Sequence, residues 1–251
     1  MTMAFKAVIE DASLFKDCVR AISELIGEGI FRFDANGMKF IATDPTMVVL
    51  VDLNLAKNCF EELNVEDEVK LPINIDAMLS ILKRVRSSDR LILESSEENK
   101  LTVVLEGKVK RRFILPLIDI EEKEIPNLNL EFLANVTVHG KTVVEGITDL
   151  AAIADVIAFE AKEDAFIMRG EGDLSKGEII MEKGCEDLLE LEVKEPCRSK
   201  FSVDYLKKIA TGIKAGGITH LQLGNDFPLE VKTEITDDST LRYVLAPRVE
   251  D

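Results

Sequence analysis

The residue types that do chemistry at active sites are scarce in this chain and stand far apart. Only two histidines are present, His139 and His220, which leaves little for general acid–base catalysis. No two cysteines form a CxxC pair, so free thiols are expected rather than a zinc site: Cys18, Cys59, Cys185 and Cys197. The motifs GxxxxGK[ST], GxGxxG, HExxH and GxSxG are all absent. We therefore expect no catalysis, no metal and no cofactor.

Acidic residues outnumber basic ones, with 47 Asp and Glu against 31 Lys and Arg, and the formal net charge is −16. Taken alone, this balance argues against nucleic-acid binding. No pair of acids stands inside an apolar run, where burial would raise the pKa of a carboxyl group into a catalytic range. The acids collect at positions 61–68, 94–98, 119–124 and 182–195. The placement of the basic residues is therefore more informative than their number.

Apolar residues that repeat with a period of 3.6 predict four helices packed on sheets: Phe15–Ile26, Ile75–Val85, Lys141–Ala154 and Val203–Ile213. The outward faces of three of these helices are basic: Lys16, Arg20, Lys83, Arg84, Arg86, Lys207, Lys208 and Lys214. In the third helix Lys141 is the only base. Lysine and arginine are common on surface helices, but three basic helices in an acidic chain favour one surface for phosphate groups. No aromatic residues alternate with these bases, so contact with a nucleic-acid backbone is expected rather than base stacking.

The two halves of the chain repeat one design. Ile75–Val85 aligns with Val203–Ile213, and short strands follow the helices in the same order in both halves. Short turns, such as those at 34–37 and 162–164, favour hairpins over crossover connections. The expected class is α+β, with two similar domains of antiparallel sheet and two helices in each. We place the domains at residues 1–117 and 133–251.

A connector at 118–132 joins the predicted domains. It has no clear helix or strand period, carries an acidic cluster and contains Pro126, as expected of a solvated connection. Its aliphatic residues are too numerous for a simple spacer. We expect the connector either to pack back on the domains or to receive a partner.

Two predicted strands, at 108–115 and 177–183, have complementary charges: Lys108, Lys110 and Arg112 against Glu178 and Glu182, which flank Ile180. A second complementary set comes from predicted helices of the two halves: Arg84 and Arg86 against Glu145 and Asp149. Sheet edges usually need protection. Pairing the first half of one copy with the second half of the next would join copies head to tail, into a ring or a filament. Two unrelated solvated strands are the alternative.

Six segments of the sequence resemble those of a known family. In chain order they are Ala42–Asp52 (ATDPTMVVLVD), Ile81–Lys83 (ILK), Arg112–Asp119 (RFILPLID), Ile125–Pro126, Phe201–Leu206 (FSVDYL) and Leu245–Asp251 (LAPRVED). Together they resemble the proliferating cell nuclear antigen (PCNA) family of sliding clamps, in its archaeal type. The ending, LAP followed by a basic, an aliphatic and two acidic residues, is the most specific of them. The segments span nearly the whole chain.

The resemblance implies a ring of three copies around duplex DNA, lined by helices and holding the duplex without reading its sequence. The DNA-facing residues would be Lys16, Arg20, Lys83, Arg84, Lys207, Lys208 and Lys214. Such a clamp is not an enzyme. Its partners are a clamp loader, DNA polymerase and other enzymes, and they insert a glutamine–aromatic motif into an apolar pocket. The matching pocket positions are Met47, Val48, Leu50, Ile125, Pro126, Leu130, Pro228, Val244, Ala246 and Pro247.

Two other functions stay open at this point. One is a damage-signalling clamp of the same fold with different partners, and the other is an acidic hydrolase with an unrecognised site. Glu10 and Asp11 stand where a signal peptide would be apolar. No run approaches the roughly 18 apolar residues of a membrane span. We therefore expect a cytoplasmic, nucleoid-associated protein without membrane contact.

Overall fold

The computed structural model describes residues 5–95, 99–122, 130–214 and 216–248. The chain divides into two compact units. Unit 1 comprises Met1–Pro45, Val51–Ile125 and Asp237–Thr240. Unit 2 comprises Thr46–Leu50, Pro126–Thr236 and Leu241–Asp251. The short segment Thr46–Leu50 therefore belongs with the second unit, although it comes early in the chain.

The first half of the chain forms nine strands and two helices within the described residues. In order they are β1 (Phe5–Ile9), α1 (Ala12–Ser23), β2 (Glu28–Asp34), β3 (Gly37–Thr43), β4 (Val49–Ala56), β5 (Glu62–Asn64), β6 (Val69–Asn74), α2 (Ile75–Leu82), β7 (Arg90–Ser95), β8 (Lys100–Glu106) and β9 (Lys110–Pro116), with a 3₁₀ turn at Lys57–Cys59. One sheet has the order β5-β1-β7-β8-β9, and β4-β3-β2-β6 are neighbours in a second sheet.

The second half also forms nine strands and two helices over its described residues. They are β10 (Ala134–His139), α3 (Gly140–Leu150), β11 (Val156–Lys162), β12 (Ala165–Glu171), β13 (Lys176–Glu182), β14 (Leu188–Val193), β15 (Cys197–Ser202), α4 (Val203–Ile213), β16 (Ile218–Leu223), β17 (Leu229–Thr236) and β18 (Ser239–Leu245). The neighbours are β14-β10-β16-β17-β18 and β13-β12-β11-β15. The strands run antiparallel, for example β11 with Ala158 opposite Arg169 on β12.

Both halves follow the same element order: one strand, one helix, five strands, one helix and three strands. The order of strands across the sheets is also the same, with β9 in the place of β18 and β13 in the place of β4. The predicted α+β class, with two similar antiparallel domains and two helices in each, is confirmed.

The helices pack in pairs, α1 against α2 and α3 against α4. Each presents one apolar face to its unit, and in α1 that face includes Phe15, Val19 and Ile22, all fully buried. The ring of Phe15 meets that of Phe31 in β2 edge-on, with centroids 6.0 Å apart. Full burial of such a side chain contributes roughly 1.5–3 kcal/mol, so the apolar faces fix how the opposite, polar faces are presented.

The bounds of α1, α2 and α3 differ from the prediction, while α4 has the predicted bounds. Helix α1 begins earlier because the Asp11 side chain caps it, accepting hydrogen bonds from the amides of Ser13 and Leu14 at 2.9 and 3.2 Å. Helix α2 ends at Leu82, so the predicted helix residues Arg84 and Arg86 lie in the following turn. Helix α3 ends at Leu150 and continues as turns.

Among the helices of the described chain, none is both long enough and apolar enough to span a membrane.

Candidate functional site

The basic residues of unit 1 that were predicted to face DNA lie on α1 and in the turn that follows α2. Arg20 is exposed on α1, one helical turn beyond the half-buried Lys16. Lys83 caps the C-terminus of α2, where a cation also interacts favourably with the helix dipole. Arg84 and Arg86 follow it and are exposed. All of these side chains lie on or directly after the two helices that pack together.

A buried ion pair holds the turn after α2 in place. The Asp89 side chain is 2% exposed, accepts a hydrogen bond from the Arg86 amide at 2.7 Å and is paired with Arg111 on β9. Arg111 also donates from Nη1 to the carbonyl oxygen of Arg84 at 2.7 Å. Burial opposes ionisation of Asp89, but the Arg86 amide and the Arg111 guanidinium outweigh it and hold the pKa of Asp89 below its ordinary value. The turn that carries Arg84 and Arg86 is thus fixed at both ends.

In unit 2 the basic residues that were predicted to face DNA lie on α4 and at its C-terminal cap. Lys207, Lys208 and Lys214 are exposed, while Leu206 and Ile209 are buried on the opposite side. The helix can approach β18 closely because residue 212 is glycine, and a Cβ there would lie 2.0 Å from the Tyr243 hydroxyl oxygen. The Lys208 ammonium stands 5.4 Å from the centre of the Tyr205 ring, within the range of a cation–π contact.

Helix α3 has a different surface. Lys141 lies 3.7 Å from Glu145, one turn further along, and both side chains are largely exposed. Asp149 is exposed as well. As predicted, this helix presents an approximately neutral to acidic face, and its acids are the ones proposed for subunit contact.

The predicted pocket residues that the structure describes fall into segments of unit 2 that are far apart in sequence. Met47 is 72% exposed, Val48 and Pro228 are half-buried, and Leu50 and Val244 are buried. The Ala246 amide donates to the Val48 carbonyl oxygen at 2.9 Å, which joins the 46–50 segment to the chain's C-terminal segment. The remaining described members are half-buried: Leu130, Ala246 and Pro247. Ile125 and Pro126 lie outside the described residues.

Strand β15 organises these segments, which the sequence did not indicate. The Ser199 hydroxyl is buried, donates to the Phe227 carbonyl oxygen at 2.8 Å and accepts from the Phe227 amide at 3.0 Å. The Arg248 amide donates to the Lys200 carbonyl oxygen at 2.7 Å. One side of β15 therefore holds both the loop before Pro228 and the segment that carries Ala246 and Pro247.

The two described ends of the connector are each tied to a unit. In unit 1, the Ile118 amide donates to the Pro72 carbonyl oxygen at 3.0 Å. Glu122 pairs with Lys70 at 2.7 Å and with Arg32 at 2.9 Å, and these partners lower the pKa of Glu122. In unit 2 the Phe132 ring meets the Phe227 ring, with centroids 5.7 Å apart. At both described ends the connector packs back on the protein, one of the two outcomes expected from the sequence.

The two predicted contact strands both border their sheets. Within the described chain β9 pairs with β8, and β13 pairs with β12. Burial alternates in the same way along both strands, and each exposes an isoleucine: Ile114 is 63% exposed and Ile180 is 48% exposed. Such edges are templates for pairing with another chain.

Two details of these strands differ from the prediction. Lys108 precedes β9 and lies in a bend rather than on the strand, although Lys110 and Arg112 are exposed on it. Glu178 already pairs with Arg169 of the neighbouring strand. Lys110 pairs with Glu106 at 3.0 Å. Lys110 and Glu178 therefore already have partners within the chain, and the exposed isoleucines become the more important part of the match.

Family models cover nearly the whole chain. The model described as proliferating cell nuclear antigen, N-terminal domain, matches residues 4–124. The model for the C-terminal domain of the same antigen matches residues 125–248. The boundary between these matches falls inside the connector, which agrees with the division between the two units at residues 125 and 126.

Two archaeal sliding clamps match the chain over its full length. The chain is 40% identical over 249 residues to DNA polymerase sliding clamp 1 of Thermococcus kodakarensis, covering 99% of this chain and 100% of that protein. It is 36% identical over 249 residues to the DNA polymerase sliding clamp of Pyrococcus furiosus, with the same coverage.

Solved structures agree with these relatives. The crystal structure of PCNA from Thermococcus kodakaraensis matches with a TM-score of 0.92 at 30% identity, covering 97% of this chain and 100% of that chain. A crystal structure of a PCNA2–PCNA3 complex from Sulfolobus tokodaii matches with a TM-score of 0.91 at 28% identity, covering 98% of this chain and 100% of that chain.

Proposed function

We infer that this chain, which belongs to the proliferating cell nuclear antigen family, acts as a DNA polymerase sliding clamp. The observation that carries the inference is the match of both family models, in order, over residues 4–248, together with relatives named as such clamps over their full length. The protein is a scaffold and not an enzyme. The name of these relatives, DNA polymerase sliding clamp, supports the replication role over the damage-signalling role.

In this role the basic residues on and after α1, α2 and α4 contact the phosphate backbone of a duplex. A chain with a net charge of −16 repels DNA elsewhere on its surface. Contact through a few lysines and arginines is weak, independent of sequence and strongly dependent on salt. Weak contact suits sliding, because a ring retains DNA by enclosing it rather than by affinity.

Ring closure follows from a head-to-tail contact between β9 of one copy and β13 of the next. Both strands border their sheets and expose an isoleucine in the middle of a polar surface. Backbone pairing of two such edges would bury Ile114 against Ile180, and Arg84 and Arg86 would lie across from Glu145 and Asp149. A contact of this kind uses two different surfaces of each copy, and it closes into a ring when the rotation between copies completes a circle. We propose a homotrimer, with a mass of about three times the 28.0 kDa chain.

Partners occupy the pocket of unit 2. In this proposal Met47 and Val48 line one side, the loop of Phe227 and Pro228 lines another, and Ala246 and Pro247 complete the site. The hydrogen bonds of Val48 with Ala246 and of Ser199 with Phe227 support this grouping. An exposed apolar surface of this kind marks a docking site. DNA polymerase, the clamp loader and other enzymes would insert a glutamine–aromatic segment there. Such a protein would be associated with the nucleoid through the DNA it encircles.

The test of this function uses the topology of the DNA. The clamp is loaded on a nicked circular plasmid by a clamp loader with ATP, separated from free protein, and the plasmid is then cut once. We expect the clamp to stay on the circle and to leave the linear product within minutes, because its ends are open. Equal retention on circular and linear DNA would contradict enclosure. Light scattering of the free protein should give the mass of a trimer.

A further inference from the structure

The backbone at Met47 has an unusual conformation for its residue type. Its φ is +59°, in the left-handed region that non-glycine residues seldom adopt. The side chain is 72% exposed, so its own packing in the chain does not hold this conformation. A conformation of this kind persists only where the flanking residues are held.

Both neighbours of Met47 are held. The Thr46 hydroxyl lies 2.8 Å from the Tyr205 hydroxyl, a hydrogen-bond distance. The Val48 carbonyl oxygen accepts a hydrogen bond from the Ala246 amide at 2.9 Å. The second bond joins backbone to backbone, and nearly any residue at these positions would keep it. The first depends on two particular side chains.

Tyr205 lies on α4, the helix with the DNA-facing lysines. The Lys208 ammonium is 5.4 Å from the centre of its ring, and the ring is half-buried. Leu206, the next residue along, is buried and fixes the helix against unit 2. The tyrosine hydroxyl is therefore carried on a rigid element, which makes it a suitable anchor for a loop.

We propose that Tyr205 is a positioning residue for partner binding, whose hydroxyl holds Thr46 so that Met47 projects into the pocket in its left-handed conformation. This proposal rests on the proposed function, because it assumes that the pocket binds partner segments. When the hydroxyl is lost, the 46–48 loop gains freedom and Met47 relaxes to an ordinary negative φ. The partner must then restore the bound conformation, which lowers its affinity.

The test is a double-mutant cycle on the full-length protein. The probe is a synthetic glutamine–aromatic peptide, and its Kd is measured by isothermal titration calorimetry. Tyr205→Phe removes the hydroxyl and keeps the ring beneath Lys208. Thr46→Val removes the other hydroxyl and keeps the shape. We expect each variant to raise Kd by about three- to tenfold, the effect of one net hydrogen bond.

The double variant should bind the peptide no more weakly than either single variant, because both changes remove the same bond. Thr46→Ser retains a hydroxyl and should bind within about twofold of the unchanged protein. If the variants instead caused general structural defects, the two effects on the binding free energy would add in the double variant and the native mass would fall. The native mass is therefore measured for every variant.

The outcomes distinguish the proposed function of the pocket from the proposed role of Tyr205. If the unchanged protein fails to bind the peptide, the proposed function of the pocket is wrong. If it binds and Tyr205→Phe binds equally well, or if the two single effects add, the positioning role of Tyr205 is wrong.

Discussion

Single residues with several partners decide how the candidate surfaces are held, and Ser199 is the clearest of them. It is fully buried in β15, and its hydroxyl makes hydrogen bonds to both the amide and the carbonyl of Phe227. The neighbouring backbone of β15 receives the Arg248 amide. One hydroxyl therefore fixes the loop that presents Pro228.

Ser199→Ala should lower the free energy of unfolding by about 1–3 kcal/mol, since two backbone groups of Phe227 lose a buried partner. The same change should weaken binding of a glutamine–aromatic peptide. Urea unfolding at one fixed protein concentration measures the first effect, because subunit assembly makes the midpoint depend on concentration. Ser87→Ala, at an exposed turn position, is the matched control and should change neither quantity. Equal stability of the two variants would contradict the role of Ser199.

The ion pair between Asp89 and Arg111 predicts a pH dependence. Because the pKa of Asp89 is depressed in the folded protein, its stabilising contribution is present above the unfolded value of about 4 and is lost as the pH falls through the folded value. Asp89→Asn should therefore lower the melting temperature at pH 7 and reduce its further fall in acid. Asp67→Asn, at an exposed position in a bend, controls for the loss of one carboxylate. Parallel curves for Asp89→Asn and the unchanged protein would contradict the assignment.

Among the elements, those whose boundaries depend on apolar periodicity were predictable. Helix α4 was predicted with its observed bounds, since its buried residues recur at helical spacing up to Ile213. Helix α2 was predicted too long. The basic residues that follow Leu82 continue the helical pattern in the sequence. In the structure, however, Arg111, more than twenty residues later, donates a hydrogen bond to the Arg84 carbonyl oxygen, and the Asp89 side chain accepts one from the Arg86 amide. A long-range partner such as Arg111 leaves no periodic signal in the sequence.

The edge strands carry the prediction for assembly. Glu178→Lys together with Glu182→Lys should convert the ring to single copies, because β13 would then face the basic β9 of the next copy with like charge. Light scattering would show a mass near 28 kDa in place of a trimer. The matched control is Glu190→Lys with Glu192→Lys, the same charge change on exposed positions of β14, and it should remain a trimer. An unchanged mass in the first variant would contradict the contact.

At the scale of the whole molecule, the duplicated fold was readable from the sequence, while the pocket was not. The duplication leaves repeated patterns in both halves. The pocket joins Val48 to Ala246 across about two hundred positions, and its residues were predicted from family resemblance alone. Ser199, Tyr205 and Phe227 were missed because a serine in a strand and an aromatic residue on a helix or in a loop look ordinary in sequence.

The basic surface predicts how the assembled protein handles DNA. Changing Lys83, Lys207, Lys208 and Lys214 together to Ala should cut polymerase processivity on primed DNA, on the order of tenfold, and most strongly at high salt, where the remaining phosphate contacts are weakest. The trimer should persist. The control variant changes four exposed lysines outside α1–α4, Lys39, Lys57, Lys162 and Lys232, and should keep full processivity. Equal processivity of both variants would contradict the surface assignment.

The sparse charge of α3 has a consequence for motion along DNA. In the proposed trimer each copy would contribute one helix, carrying the Lys141–Glu145 pair, that attracts the duplex little, so strongly and weakly attracting sectors would alternate three times around the ring. The energy of the duplex in such a ring would then depend on its rotational setting, with three equivalent minima per turn.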